Sequence, residues 1–138
     1  YEIYQCDWSS DVCSSDLEGK VAVTEFRPLA SSPSGEFTLA DVILGTGRKH
    51  QIRAHAQWLG HAVVGDKIYG PDARLYLEFI DSGWTEALAK RLLLARQALH
   101  CAEIDLRAAG LGHVFRAPLA PDLAEFCSQN GITPPAEA

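Results

Sequence analysis

Residues 46–70 read TGRKHQIRAHAQWLGHAVVGDKIYG, and the organisation of the chain follows from how this stretch is punctuated. Gly45-Thr46-Gly47 is a turn, and from Arg48 to Leu59 the apolar residues Ile52, Ala56 and Leu59 recur at helical spacing. Gly60 stands where a C-terminal glycine ends a helix, and residues 61–70 form a glycine-punctuated loop around Val63-Val64. The helix opens on Arg48, Lys49, His50, Gln51 and Arg53, which brings cationic side chains to unpaired helix N–H groups, and both attract phosphate. His50, Arg53 and Gln57 are three and four apart and share a face; Ile52, Ala56 and Leu59 share another. The spacing predicts that the second face packs and the first is left for a ligand.

Upstream, residues 20–29 (KVAVTEFRPL) place Val21, Val23 and Phe26 in an imperfect alternation typical of a strand. Turn residues ASSPSG follow at 30–35, and EFTLADVIL at 36–44 is a second strand, so an antiparallel pair is expected. Downstream, residues 73–96 predict two short helical pieces. The second starts near Thr85, with Glu86 in its first turn and Lys90 and Arg91 toward its end, as the helix dipole favours. Residues 98–106 and 113–117 read as strands flanking the Gly110-Leu111-Gly112 turn. A last helix starts near Pro121, and residues from Ile132 onward read as a frayed tail. Strands interrupted by short helices indicate an α+β fold with a mostly antiparallel sheet, thin enough that at least one sheet edge should be unpaired.

The 138 residues, 47% hydrophobic and 22% charged, have the balance of one globular domain. No run approaches the roughly 18–20 apolar residues of a membrane span, and no basic-then-apolar leader opens the chain. Residues 1–17, YEIYQCDWSSDVCSSDL, lack helical or strand periodicity, and Asp7 to Leu17 resemble a common sequencing-adapter oligonucleotide translated in one frame. The expected division is therefore a non-native segment, 1–17, and a native part, 18–138. The first holds Glu2, Asp7, Asp11 and Asp16 and no Lys or Arg, so the formal charge of −6 becomes −2, from 12 basic and 14 acidic residues. Cys101 and Cys127 then remain, without zinc or disulfide spacing, as buried or partly buried free thiols.

By residue type alone, the basic helix entry is compatible with a solvated face, since the net charge is not that of a dedicated nucleic-acid binder. His50 and His55 are five apart, not the four of a zinc pair on one helix face, and GTGRKH lacks P-loop spacing. A helix-turn-helix reading of residues 48–59 conflicts with the strand-like flanks.

The stretch 46–70 resembles the pattern TGRxHQIRxHxxxxGHPIxGDxxYG of the RluA family of pseudouridine synthases at nearly every fixed position. RQALHCAEIDL at 96–106 and HVFRAPLAPDL at 113–123 are similar to the family's later L-H-A and F-x-A-P-L segments, so the resemblance covers most of residues 20–128. Two positions depart from it, Ala62 where proline is usual and Cys101 where alanine is common.

The resemblance implies an enzyme that isomerises uridine in RNA to its C-glycoside without cofactor or metal. The attacking aspartate lies in a string of type HRLDxxTSG and a tyrosine near the base in KxYxAxxxG; neither string occurs here. A truncated pseudouridine synthase, inactive as it stands, is therefore expected, with a noncatalytic RNA-binding fragment as the alternative. Arg53 matches the arginine that pairs with the catalytic aspartate, and is expected to lack its partner in this chain. Arg48, Lys49 and His50 match the RNA-facing entrance, and Gly65, Asp66 and Tyr69 match G-D-x-x-Y, equally readable as a structural turn. The expected partner is ribosomal or transfer RNA, the expected setting a cytoplasmic monomer.

Overall fold

The computed structural model describes residues 4–8 and 20–134, with side chains from residue 22 onward. Its elements are β1 (Tyr4–Trp8), β2 (Lys20–Ser31), β3 (Thr38–Leu44), α1 (Gln51–Trp58), α2 (Arg74–Ser82), α3 (Glu86–Leu92), β4 (Glu103–Asp105), β5 (Val114–Arg116) and α4 (Pro121–Gln129). β1, β2 and β3 form one sheet in that order, β4 and β5 a second, and both sheets are antiparallel: the α+β architecture expected. Two compact units result, one holding residues up to Arg27 with Val42–Ala98, the other Pro28–Asp41 with Leu99 onward.

In the first unit β2 buries Ala22 and Thr24, which are 1% and 2% exposed, while the apolar Val23 between them is only half-buried. Thr24 is tolerated inside because its hydroxyl accepts a hydrogen bond from Gln51 Nε2 at 2.9 Å. The core of the helical pair is Leu75 from α2 and Leu88 and Leu92 from α3, with Phe79 packed against them. α3 starts as read: Thr85 caps it by accepting from the Leu88 N–H at 3.2 Å, and Glu86 and Lys90 pair at 2.8 Å one turn apart.

In the second unit the turn after β2 closes with the Gly35 N–H donating to Ser32 O at 2.9 Å, Gly35 having a φ of 74°. The β4–β5 pair is shorter than the sequence suggests, three residues each in the register Glu103↔Arg116 to Asp105↔Val114, with a 3₁₀ turn at Arg107–Ala109 leading into the glycines. Both strands are edges of a two-stranded sheet. α4 has Pro121 in its first turn, where the missing N–H costs nothing. Two expectations fail in this unit. Ile132 is not frayed: it is 4% exposed and its N–H donates to Cys127 O at 2.8 Å. Of the thiols Cys127 is buried but Cys101 is exposed.

The expectation that residues 1–17 stand apart from the fold meets one observation. The backbone of Tyr4–Trp8 pairs antiparallel with β2, Tyr4 opposite Thr24 and Trp8 opposite Lys20; the rest of that segment lies outside the described residues. An open strand edge offers its N–H and C=O groups to any extended segment, native or not.

Candidate functional site

α1 begins without a side-chain cap from His50, which takes the left-handed conformation at φ 57°, ψ 12°. Gln51 does the work instead. Its Oε1 accepts from the Arg48 N–H at 3.0 Å and from the Thr46 hydroxyl at 2.8 Å, while Nε2 donates to Val23 O and Thr24 Oγ1, both at 2.9 Å. Thr46 Oγ1 in turn accepts from the Val23 N–H at 2.9 Å. One buried amide thus joins β2, the Gly-Thr-Gly turn and the helix start. The helix buries Gln51, Ala54, His55 and Ala56, whereas Ile52 and Leu59 are only half-buried, so the packing face is rotated from the one the apolar spacing predicts. A polar residue whose donors and acceptors are all satisfied can lead a buried face, and hydropathy alone does not register that.

Arg53 therefore projects from the flank of the buried face, and its guanidinium meets Asp66 in the loop after α1. Nε donates to Oδ2 at 2.5 Å and Nη2 to Oδ1 at 2.7 Å; the side chains are 12% and 0% exposed. Asp66 Oδ1 also accepts the N–H groups of Ile68 and Tyr69, both at 2.9 Å, which folds residues 66–69 into a turn. Arg53 is thus paired within this chain, by Asp66, a carboxylate other than the catalytic aspartate that it was expected to lack. Burial pushes the Asp66 carboxyl up, but the Arg53 hydrogen bonds and the two N–H groups outweigh it and hold the group below its ordinary value. Those bonds raise Arg53, which stays charged.

Tyr69 closes the cluster. Its ring lies 5.0 Å from the Arg53 guanidinium carbon, and the His50 ring stands edge-on to it at 5.6 Å with Nδ1 3.4 Å from the hydroxyl. The loop carrying Asp66 and Tyr69 is backed by Lys67, whose Nζ donates to Ala95 O and lies 4.7 Å from the Phe79 ring and 5.3 Å from Trp84. Gly65, at φ 76°, sits so close to residue 96 that a Cβ would fall 2.0 Å from Arg96 O. Gly65→Ala is accordingly expected to lower stability by about 2 kcal/mol or more, combining positive φ with a backbone clash. A thermal melt of the variant chain checks this, and an unchanged Tm would show that the 65–70 turn can relax without cost.

The structure brings Arg53 and His50 together with Tyr69 and Asp66, and does not draw in Arg48 and Lys49. Both are exposed, and their side chains make no ion pair among the described residues. Gln51, grouped by the sequence with the residues presented at the helix entry, is instead buried, and its Oε1 accepts the Arg48 N–H. His55 was set aside as a metal ligand and is instead 3% exposed, with Nε2 lacking a hydrogen-bond partner among the described residues. Burial lowers its pKa, so the folded chain holds it neutral. Stability should then decline as the pH falls below the ordinary imidazole value of roughly 6.5, because only the unfolded chain takes up that proton. Replacing His55 by Gln should flatten the pH 7 to 5 segment of a Tm-against-pH curve; a slope equal to the parent's would assign it to other groups.

Among the described residues no group of three or more His, Cys, Asp or Glu is placed to hold a metal ion, and no helix is long and apolar enough to cross a membrane.

Residues 7–58 match the family described as RNA pseudouridylate synthase. An RNA pseudouridine synthase of Chlorobaculum parvum is 41% identical over 110 residues, covering 77% of this chain and 32% of that protein. The ribosomal large subunit pseudouridine synthases D of Vibrio cholerae and Zymomonas mobilis are each 37% identical, over 78% and 65% of this chain and 32% and 25% of their own lengths. No solved structure matches. The chain spans about a third of the curated relatives it matches. With the TGRKHQIR helix entry and the GDKIYG turn joined through Arg53 and Asp66, this chain belongs to the RluA family of RNA pseudouridine synthases.

Proposed function

We propose that the chain is the C-terminal part of a pseudouridine synthase catalytic domain and that, joined to an upstream segment carrying the attacking aspartate, it isomerises uridine in RNA. In that reaction a carboxylate attacks, the glycosidic bond breaks, and the base turns and rejoins the ribose through carbon. The observation that carries the reading is a charged guanidinium held nearly buried at a helix entry that also presents Arg48 and Lys49 to solvent. A carboxylate that must stay ionised in a desolvated pocket needs such a fixed opposite charge. Arg48, Lys49 and His50 would meet RNA phosphate, and the uridine would leave its stack to reach the pocket. No cofactor or metal takes part, and the setting is cytoplasmic, the protein acting as a monomer.

Neither the HRLDxxTSG nor the KxYxAxxxG string occurs in the sequence. The 138-residue chain alone should therefore form no pseudouridine when incubated with bulk cellular RNA, while the full-length protein should. Conversion by the short chain would place the nucleophile within it. Arg48 and Lys49, exposed and without an ion pair among the described residues, support a second reading, a noncatalytic RNA-binding fragment; that reading gains if the full-length protein binds RNA and leaves its uridines unchanged.

Residues 1–17 are proposed to be non-native, with β1 augmenting an open edge of β2. Deleting them should leave the Tm within measurement error. A fall of several degrees would make β1 a strand on which the fold depends.

A further inference from the structure

Asp66 uses only one edge of Arg53. The carboxylate takes Nε and Nη2, Tyr69 lies against the guanidinium, and no hydrogen bond engages Nη1 among the described residues. The grip is itself rigid, because Asp66 is fully buried and its Oδ1 is fixed by two backbone N–H groups as well as by the arginine. Gly70 closes the turn so tightly that a Cβ there would fall 2.0 Å from Asp66 O.

We propose that Asp66 is a positioning residue: it holds Arg53 by the Nε/Nη2 edge so that the Nη1 edge is presented to the carboxylate that attacks the uridine. The inference rests on the function proposed above. A guanidinium has two edges of paired N–H donors, and clamping one fixes the direction of the other within its plane. It also means that two carboxylates share one cation, so the attacking group is held ionised without being fully neutralised. The other titratable groups at this cluster are Tyr69, against the guanidinium, and His50, against Tyr69.

The test is Asp66→Asn in the full-length protein, read by single-turnover rates at saturating RNA across pH. Asparagine keeps an oxygen for the Ile68 and Tyr69 N–H groups, so the turn can form, and a melt of the variant establishes that it does. The expected result is a rate about tenfold lower or more at unchanged RNA affinity. The acid limb of the profile should move to lower pH by about one unit, since Arg53 then directs its whole charge at one carboxylate. A parent-like rate and profile overturns the proposal, as does a slower variant whose acid limb has not moved, which is the mark of a merely structural role. The parent is assayed first: if it forms no pseudouridine, the functional reading fails and takes this inference with it. A parent that is active beside an unaffected variant removes only the role of Asp66. The grip has a readout of its own in the 138-residue chain. The Arg53 Nε–H should exchange with solvent at least tenfold more slowly than that of exposed Arg48, and equal exchange would contradict it.

Discussion

Replacing Arg53 by Ala in the full-length protein should reduce single-turnover pseudouridine formation at saturating RNA by about a hundredfold or more, the loss expected when a preorganised electrostatic group is removed. The geometry sets the direction. Arg53 is held by Asp66 at 2.5 and 2.7 Å and is raised, not lowered, by that contact, so it is a permanent cation. Without it the attacking carboxylate would take up a proton more readily, and Asp66 would remain buried with no counter-charge. Arg53→Lys should recover little, because an ammonium cannot hold Asp66 with one edge and offer a second. Arg48→Ala separates binding from chemistry: it should weaken RNA affinity and shallow its salt dependence while sparing the rate at saturation. If Arg53→Ala turned over like the parent while Arg48→Ala did not, the two roles would be reversed.

The second large effect is on stability and needs only the 138-residue chain. Asp66→Ala should cost on the order of 3–5 kcal/mol, because it strands a nearly buried arginine and removes the acceptor for two backbone N–H groups. Against a typical total of about 5–15 kcal/mol, that is enough to leave much of the variant unfolded at physiological temperature. The pH dependence follows from the lowered pKa of the folded carboxyl. Its contribution is complete above the ordinary aspartate value, roughly 4, and is lost as the pH falls below that toward the folded value. Urea melts from pH 7 to 3 should show this acid loss in the parent and a flatter branch in Asp66→Ala. Parallel acid branches would mean that the pair contributes little to folding.

How much of this was legible in the sequence differs from element to element. α3 was readable because local chemistry specifies it: Thr85 caps, Glu86 follows, and Lys90 and Arg91 end it, without help from the rest of the chain. The Pro121 start of α4 was readable for the same reason. The buried face of α1 was misread because Gln51 is polar by type and buried by circumstance. Its four hydrogen-bond partners come from Val23, Thr24, Thr46 and Arg48, and proximity of that kind is not written in spacing. Ile132 was misread as a loose end because a helix C-terminus that folds back on Cys127 depends on a Gly131 turn at φ 65°, which hydropathy does not register.

The candidate site was half legible. Arg53, His50, Asp66 and Tyr69 all stood in the motif, but the resemblance directed Arg53 to a carboxylate upstream, and the spacing of thirteen residues gave no sign that Asp66 would bind its Nε and Nη2. Only the fold joins the end of the loop to the first turns of the helix. The same holds for Gly65, whose place in the G-D string was plain while the reason for it, the approach of Arg96 O, was not.

On the function proposed above, a uridine-isomerising site is completed around Arg53 when this chain is joined to its upstream segment. The most direct test is the pseudouridine content of cellular RNA, measured by mass spectrometry of its nucleosides after incubation with the full-length protein, its Arg53→Ala variant and the 138-residue chain. Conversion is expected from the full-length protein, at about one hundredth of that rate or less from the variant, and not at all from the short chain. Conversion by the short chain, or equal conversion by the full-length protein and its Arg53→Ala variant, would contradict it.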